Sequence, residues 1–477
     1  MQWSAGTPES GGVSSRAVLD FVAALEKFEF VHSFILIRND IEIASGWWAP
    51  YRAETPHLLY SLSKSFISCA VGIAAGEGRL TLDTPLPDIF PEYRPGISDG
   101  RFFRMTVRHL LTMTTGHAVC STAFFKAVPG GDFKRDFFTS PLEFEPGSRF
   151  VYNSGATFML SAAIRRLTGE NPSVYLKNRL LSPLGIGERR WEKSPDGTEF
   201  GGWGYRLTTR EIASFARMLL HGGRAGGRQL VPAEYLAEAT AFQVDNSMNE
   251  APDWKQGYGF QFWRCRHNAF RGDGAFGQYA LVIPEKNTAL AVTAGGKNMQ
   301  TILDIVWEHL LPRLEDRPLP EDPQAHARLR EKLASLRLPQ LHGEAPRRDT
   351  VLAAAFGPNE TGIRHVRIEE TASGCQVSFT QEDGRIEILR AGWQEPFEGE
   401  TALEDGEKRP YSATARTTEN GVLMRVYFTS TPFVSDYRFT VEGKKLVLAR
   451  ERNLHFRTSP WPELAGRVEE NSGMLPK

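Results

Sequence analysis

Tyr60-Ser61-Leu62-Ser63-Lys64-Ser65-Phe66 leads into the small-residue apolar run Ile67-Ser68-Cys69-Ala70-Val71-Gly72-Ile73-Ala74-Ala75. Phe66, Ala70, Ile73 and Ala74 recur at helical spacing, which predicts a buried helix that opens near Ser61 and stops at Gly76 and Gly78. Ser61 and Lys64 are three apart, so on a helix they share a face within reach of each other. A serine hydroxyl is a poor nucleophile until a base removes its proton. A lysine can be that base once burial and the positive end of a helix depress its pKa. The bland alternative is a Ser61 that caps the helix and a Lys64 that is solvated in the first turn. A lysine opening an otherwise buried helix needs a reason to be there, which favours the chemical reading.

The rest of the chain sets bounds on that reading. With 477 residues it is too long for one core, so two or more domains are expected. Hydrophobic residues make up 41% and charged residues 24%, an ordinary globular composition, and the net charge of −1 gives no electrostatic case for nucleic acid or an anionic membrane. Cys69, Cys120, Cys265 and Cys375 lie far apart with no CxxC pair, which fits reduced thiols better than a disulfide framework. The start of the sequence has neither a basic nor an apolar leader region, so a cytoplasmic protein is expected. No run reaches the roughly 18 apolar residues of a membrane span.

Hydrophobic patterning predicts an opening amphipathic helix through Val18, Phe21, Val22 and Leu25, then a hairpin of strands 30–37 and 41–47 turning at Asn39-Asp40. Helices are expected over 106–113, from 154 to 166, and over 212–220 behind a Thr208–Glu211 capping box. Strands 260–270 and 278–293 flank a glycine-rich turn, and 302–314 reads as a helix. Composition then turns charged and proline-bearing, which predicts a linker over 313–348 with a short helix at 325–336. Short alternating strands follow, among them 366–368, 376–379, 385–389, 422–428, 437–441 and 445–449. They predict an all-β module over 349–477, a lipocalin-like barrel or a sandwich, behind a catalytic domain over 1–312.

Two motif matches fail on context. Gly96-Ile97-Ser98-Asp99-Gly100 fits a nucleophile elbow, but prolines precede it where a strand is required. Gly272-Asp273-Gly274-Ala275-Phe276-Gly277 fits a dinucleotide fingerprint, but a strand-like run follows where a helix is required. His57, His109, His117, His221 and His267 lack metal-ligand spacing, so capping or surface roles and no metal are expected. Trp47, Trp48, Trp203, Tyr205, Trp254 and Trp263 are candidates to line a cleft.

Three short motifs in order carry a family resemblance. Ser61-Leu62-Ser63-Lys64, Tyr152-Asn153-Ser154 and Gly272-Asp273-Gly274, with the flanks His109-Leu110-Leu111-Thr112-Met113-Thr114-Thr115-Gly116 and Leu181-Ser182-Pro183-Leu184-Gly185, resemble the serine β-lactamase and penicillin-binding-protein superfamily. The likeness covers about residues 15 to 312 and is nearest to class C β-lactamases and the related esterases and amide hydrolases. It implies an α+β fold, with an antiparallel sheet flanked by helices and an all-helical subdomain. It implies an acyl-enzyme on Ser61, with Lys64 and Tyr152 sharing the proton and Tyr152 acting as base and then acid. It also implies an oxyanion hole from the backbone N–H groups of Ser61 and Ala275, substrate contacts at Ser154, Gly272, Asp273 and Gly274, and no cofactor. A cation beside Tyr152 is expected to lower its pKa.

The third triplet departs from the lactamase pattern. Gly272 stands where a cation grips a substrate carboxylate, and Asp273 would repel one. A small-molecule ester, amide or peptide substrate is therefore expected, with an esterase or amidase favoured. A β-lactamase or D,D-peptidase is the alternative, and a catalytically silent binding protein on the same fold is the third reading.

Overall fold

A computed structural model describes residues 3–28, 30–404, 406–455 and 461–469. The outer ends of the two expected domains, 1–2 and 470–477, lie outside them. The chain forms two compact units, one of residues 1–47 and 56–336, the other of residues 48–55 and 337–477.

The first unit is built on a sheet of β1 (Ser4–Ala5), β2 (Val31–Arg38), β3 (Ile41–Trp47), β4 (Trp263–Arg264), β5 (Phe270–Gly274), β6 (Gln278–Ile283) and β7 (Thr288–Ala294), in the order β1-β3-β2-β7-β6-β5-β4. All pairings are antiparallel except β1 with β3. Every residue of β2 is buried, and so is every residue of β7, which marks strands covered on both faces. Ser33 and Phe34 show the two covers, since neighbours on a strand point to opposite faces. Ser33 Oγ lies 2.6 Å from Thr209 Oγ1 at the start of one helix, and the Phe34 ring meets Phe21 of another edge-on at 5.8 Å.

Phe21 belongs to α1 (Ser15–Lys27), whose N-cap Ser14 accepts from the Ala17 N–H. The stretch that decides the fold forms α2 (Ser63–Gly76) behind a 3-10 turn over Tyr60–Leu62. Its small residues admit close neighbours: a Cβ at Gly72 would sit 2.3 Å from the Tyr235 ring. Residues 77–205 then form a largely helical insertion around α3 (Ser154–Thr168), and the chain returns at Arg206–Leu207, which pairs with His57–Leu58. Thr209 opens α4 (Thr209–Leu220), held by the expected Thr208–Glu211 capping box, and Phe215 of α4 stacks on Phe66 of α2 at 3.9 Å.

Local details differ from the patterning. The run 278–293 is two strands, broken by a 3-10 turn at Pro284–Lys286 and by Asn287 at φ 43°. The short helix expected at 325–336 inside the linker is present as α5 (Pro323–Ala334), capped by Asp322, but it packs on α1 and β3.

In the second unit, ten strands follow one another: β8 (Thr350–Ala355), β9 (Ile363–Thr371), β10 (Gly374–Gln381), β11 (Ile386–Ala391), β12 (Phe397–Thr401), β13 (Arg409–Thr418), β14 (Gly421–Tyr427), β15 (Val434–Glu442), β16 (Lys445–Arg452) and β17 (Leu464–Val468). Among the described residues, each pairs antiparallel with the next except across the β11–β12 seam, and β17 returns to β8. The result is a nearly closed barrel, not a sandwich. Alternate residues fill it, as with Cys375, Val377 and Phe379 of β10.

Candidate active site

Tyr60 stands at φ 48°, a left-handed conformation that is uncommon for a bulky residue and that turns the chain just before Ser61. Ser61 is not a helix cap, because neither the 3-10 turn nor α2 takes a side-chain cap. Lys64 is not solvated: it is 2% exposed. Both parts of the bland reading are thereby excluded.

The amine of Lys64 makes three hydrogen bonds. Nζ lies 3.0 Å from Ser61 Oγ, 3.0 Å from Ser154 Oγ and 2.7 Å from the Gly202 carbonyl oxygen. Burial is the dominant influence on it and brings its pKa down to about 7, against smaller upward pulls from Cys120 and Asp273. Ser154 is free to hold Lys64 because Asn153 caps α3: its Oδ1 accepts from the Gly155 and Ala156 N–H groups and from Ser121.

Tyr152 lies with its ring centroid 4.9 Å from Lys64 Nζ and stacks on Trp263 at 5.5 Å. Its pKa runs opposite to the expectation from a neighbouring cation. Burial raises it well above the ordinary phenol value, and the hydrogen bond with Ser61 offsets only part of that. A lysine whose own pKa is depressed is a weak counter-ion for a phenolate.

The third triplet is the end of β5, and residues 275–277 make the turn into β6, so the dinucleotide reading falls and the hairpin stands. Its glycines are there for closeness. A Cβ at Gly272 would lie 2.4 Å from Leu62 Cδ1 and 2.8 Å from Ser65 Oγ, and one at Gly274 would lie 2.0 Å from the Leu59 carbonyl oxygen. Ala275 follows, then Phe276 at φ 71°, whose ring meets Tyr60 edge-on at 5.5 Å. Among the described residues, neither the Ser61 nor the Ala275 backbone N–H donates a hydrogen bond.

Asp273 is not the bare carboxylate that the sequence implied. Its Oδ2 accepts from Arg271 Nε at 2.8 Å, and the guanidinium is buried over Trp254 at 4.2 Å. Arg271 Nη1 also donates to the Asp253 carbonyl oxygen at 2.8 Å. Burial raises the Asp273 carboxyl, against the pull of Arg271 and Lys64.

Sequence reasoning missed Gly202, Arg271 and Cys120, since none stands in a recognisable motif. Cys120 Sγ accepts from the Ser154 N–H at 3.3 Å and lies 3.0 Å from Thr122 Oγ1. Burial would raise its thiol, yet hydrogen bonds from Thr122, Ser154 and Gly155 bring it below the ordinary thiol value. Of the proposed cleft aromatics, Trp254 and Trp263 lie beside Arg271 and Tyr152, Trp203 stacks on Phe200, and Trp48 belongs to the other unit. Ser98 is exposed between two 3-10 turns, with no elbow. The histidines include two core residues, not surface ones: His57 pairs with His32 at 3.1 Å, and His117 bonds Ser140 at 2.7 Å.

Comparison with known proteins gives the chain a family. An esterase of Burkholderia gladioli, EstB, is 32% identical over 152 residues, 29% of this chain and 38% of the esterase. A 6-aminohexanoate-dimer hydrolase of Paenarthrobacter ureafaciens is 24% identical over 278 residues, 54% of this chain and 71% of that enzyme. A solved Bacillus anthracis structure assigned as a 6-aminohexanoate-dimer hydrolase superposes with a TM-score of 0.53 at 19% identity, over 67% of this chain and 89% of the other, which shows a shared fold. The family model described as Beta-lactamase matches residues 32–302, from β2 through the triplet hairpin to the helix after β7. That span holds Ser61, Lys64, Tyr152, Ser154 and Gly202 in one hydrogen-bonded cluster, and the chain belongs to the Beta-lactamase family.

Proposed function

We propose that this chain is a serine hydrolase that cleaves small esters or amides through an acyl-enzyme on Ser61. The observation that carries the reading is Lys64, buried 3.0 Å from Ser61 Oγ with a pKa brought down to about 7. Near neutrality about half of it is the free amine, which is what a general base requires. Ser61 Oγ attacks the carbonyl carbon as its proton passes to Lys64 Nζ. The developing oxyanion is received by the Ser61 and Ala275 N–H groups, which have no other acceptor among the described residues. Tyr152, held as the neutral phenol, is the acid that protonates the departing oxygen or nitrogen, and Lys64 then returns a proton to it. Water releases the acyl group by the same steps in reverse. This inverts the first role expected for Tyr152, because burial disfavours the phenolate.

Lactam hydrolysis has less support. A cation at position 272 would have to displace Leu62 or Ser65, both in contact with any Cβ placed there. Activity on an ester or amide with no carboxylate at that end needs no such cation. The decisive experiment treats the protein with a fluorophosphonate and maps the adduct by mass spectrometry, with p-nitrophenyl acetate and nitrocefin turnover measured alongside. One adduct on Ser61, ester turnover lost in Ser61→Ala and nitrocefin turned over more slowly than the ester are expected. Absence of any adduct would instead support a silent binding protein.

A further inference from the structure

The mechanism leaves one cavity beside the cluster without a task. It has a volume of about 380 Å³, and Tyr152 forms part of its wall, with Phe144, Arg149, Phe150 and Met248. That volume lies within the range of small-ligand pockets. Among the described residues, Arg149 is the only charged side chain in the wall. It sits three residues before Tyr152 in sequence.

Arg149 has its guanidinium over the Phe144 ring, with Cζ 4.8 Å from the centroid. Among the described residues it makes no ion pair and no side-chain hydrogen bond. The nearby Glu145 carboxylate is taken by Arg104 at 2.7 Å. A guanidinium whose N–H groups have no protein acceptor keeps them available, and their fork matches a carboxylate in two-pronged fashion. The remaining wall is mostly apolar, its Asn249 amide being engaged by the Asn246 and Trp254 carbonyl oxygens, and Met248, 57% exposed, adapts to chains of different shape.

We infer that Arg149 selects substrates carrying a carboxylate at the far end of an apolar arm, the arm lying in this cavity and the scissile carbonyl at Ser61. This rests on the hydrolase reading above and adds its substrate class. It is compatible with the glycine at 272, because the anion is held on the Tyr152 side of the cluster and not at the triplet.

The test compares matched ester pairs in wild-type, Arg149→Gln and Arg149→Lys proteins. One pair places the carboxylate on the acyl part, mono-p-nitrophenyl adipate against p-nitrophenyl hexanoate. The other places it on the leaving group, 4-acetoxyphenylacetate against phenyl acetate. In at least one pair the wild type should favour the anionic member in kcat/KM. That preference should fall about fivefold in Arg149→Gln, weaken with added salt, and survive largely in Arg149→Lys; the low figure reflects a solvent-exposed partner. A preference that changes less than twofold in both pairs overturns the inference. To separate this from failure of the hydrolase reading, binding of 3-phenylpropanoate and 3-phenylpropan-1-ol to the Ser61→Ala protein is measured by calorimetry. Tighter binding of the acid, lost with Arg149→Gln, supports the anion site even without turnover, and equal binding of acid and alcohol counts against it.

Discussion

Asp273 Oδ2 accepts a hydrogen bond from Arg271 Nε at 2.8 Å, with both side chains on one face of β5 and neither more than 7% exposed. A carboxylate so placed does not act on substrate as a free negative charge, because its field is opposed by a guanidinium two residues away. Taken as a bare charge from the sequence, Asp273 would select against anionic substrates and in favour of cationic ones. The pair removes most of that lever and makes Asp273 a structural partner.

The first prediction follows. Removing one member leaves the other buried and unmatched, which costs roughly 3 kcal/mol or more, whereas removing both costs less than the sum. Arg271→Met and Asp273→Asn should each lower the urea midpoint substantially, and the double variant should recover part of the loss. Strictly additive losses would show that the two groups are not coupled. Asp273→Asn should change stability more than it changes preference between charged and neutral esters.

Lys64 gives a pH prediction in two parts. The free amine grows as pH rises through about 7, so kcat/KM should show an acid limb with a midpoint near 7. Tyr152 is raised above the ordinary phenol value, so it should add no falling limb below about pH 10. For stability, the unfolded lysine keeps its proton up to the ordinary lysine value of 10.5, while the folded one loses it around 7. The unfolded state therefore binds more protons between those values, and stability should rise with pH across that window. The rise should be present in wild type and absent in Lys64→Met, read as the difference in urea midpoints between pH 6.5 and pH 9.

Much of the site was legible because its motifs are local. Ser61 and Lys64 are one helical turn apart, so spacing paired them, and Tyr152 was reached through the family resemblance of the ordered motifs. Gly202 and Arg271 reach the cluster only through tertiary folding, one by a carbonyl oxygen that any residue carries. The direction of the Tyr152 shift was misread because a motif names neighbours but not burial. In the barrel, alternation found the valine- and isoleucine-bearing strands but not Thr350–Ala355, which is alanine-rich, Phe397–Thr401, which contains Gly399, or Arg409–Thr418, which contains Pro410. Closure into a barrel depends on the β8–β17 pairing between distant strands, which local pattern does not encode.

Gly202 supplies the third prediction. Its carbonyl oxygen is the shortest of the contacts to Lys64 Nζ, and a Cβ added there would lie 3.1 Å from the Ser154 carbonyl oxygen and 3.5 Å from Nζ itself. The crowding should push Ser154 and Lys64 apart by a few tenths of an ångström. Misplacement of a general base on that scale should lower kcat/KM about tenfold. The loss should fall in kcat, with KM nearly unchanged and the melting temperature close to wild type. A folded Gly202→Ala protein with wild-type kcat would show that crowding at this position does not disturb the amine.

The last prediction concerns residues 48–55, which lie in sequence between β3 and the nucleophile but belong to the barrel unit. Tyr51 is 5% exposed there, its hydroxyl donates to the Thr431 carbonyl oxygen at 2.9 Å, and its ring meets Tyr427 edge-on at 6.5 Å. The Leu338 N–H donates to the Ala49 carbonyl oxygen at 2.8 Å, so the segment is tied by backbone as well. A fragment of residues 337–477 lacks these contacts. Deleting a buried aromatic side chain costs on the order of 3 kcal/mol, and losing one hydroxyl hydrogen bond costs about 1 kcal/mol. The isolated fragment should therefore melt lower than the same fragment with a synthetic 48–55 peptide in excess, by circular dichroism. A peptide carrying Tyr51→Phe should recover most of the gain, and one carrying Tyr51→Ala little of it. If the fragment melts at one temperature with or without the peptide, residues 48–55 contribute nothing to the barrel, and the second unit begins at 337.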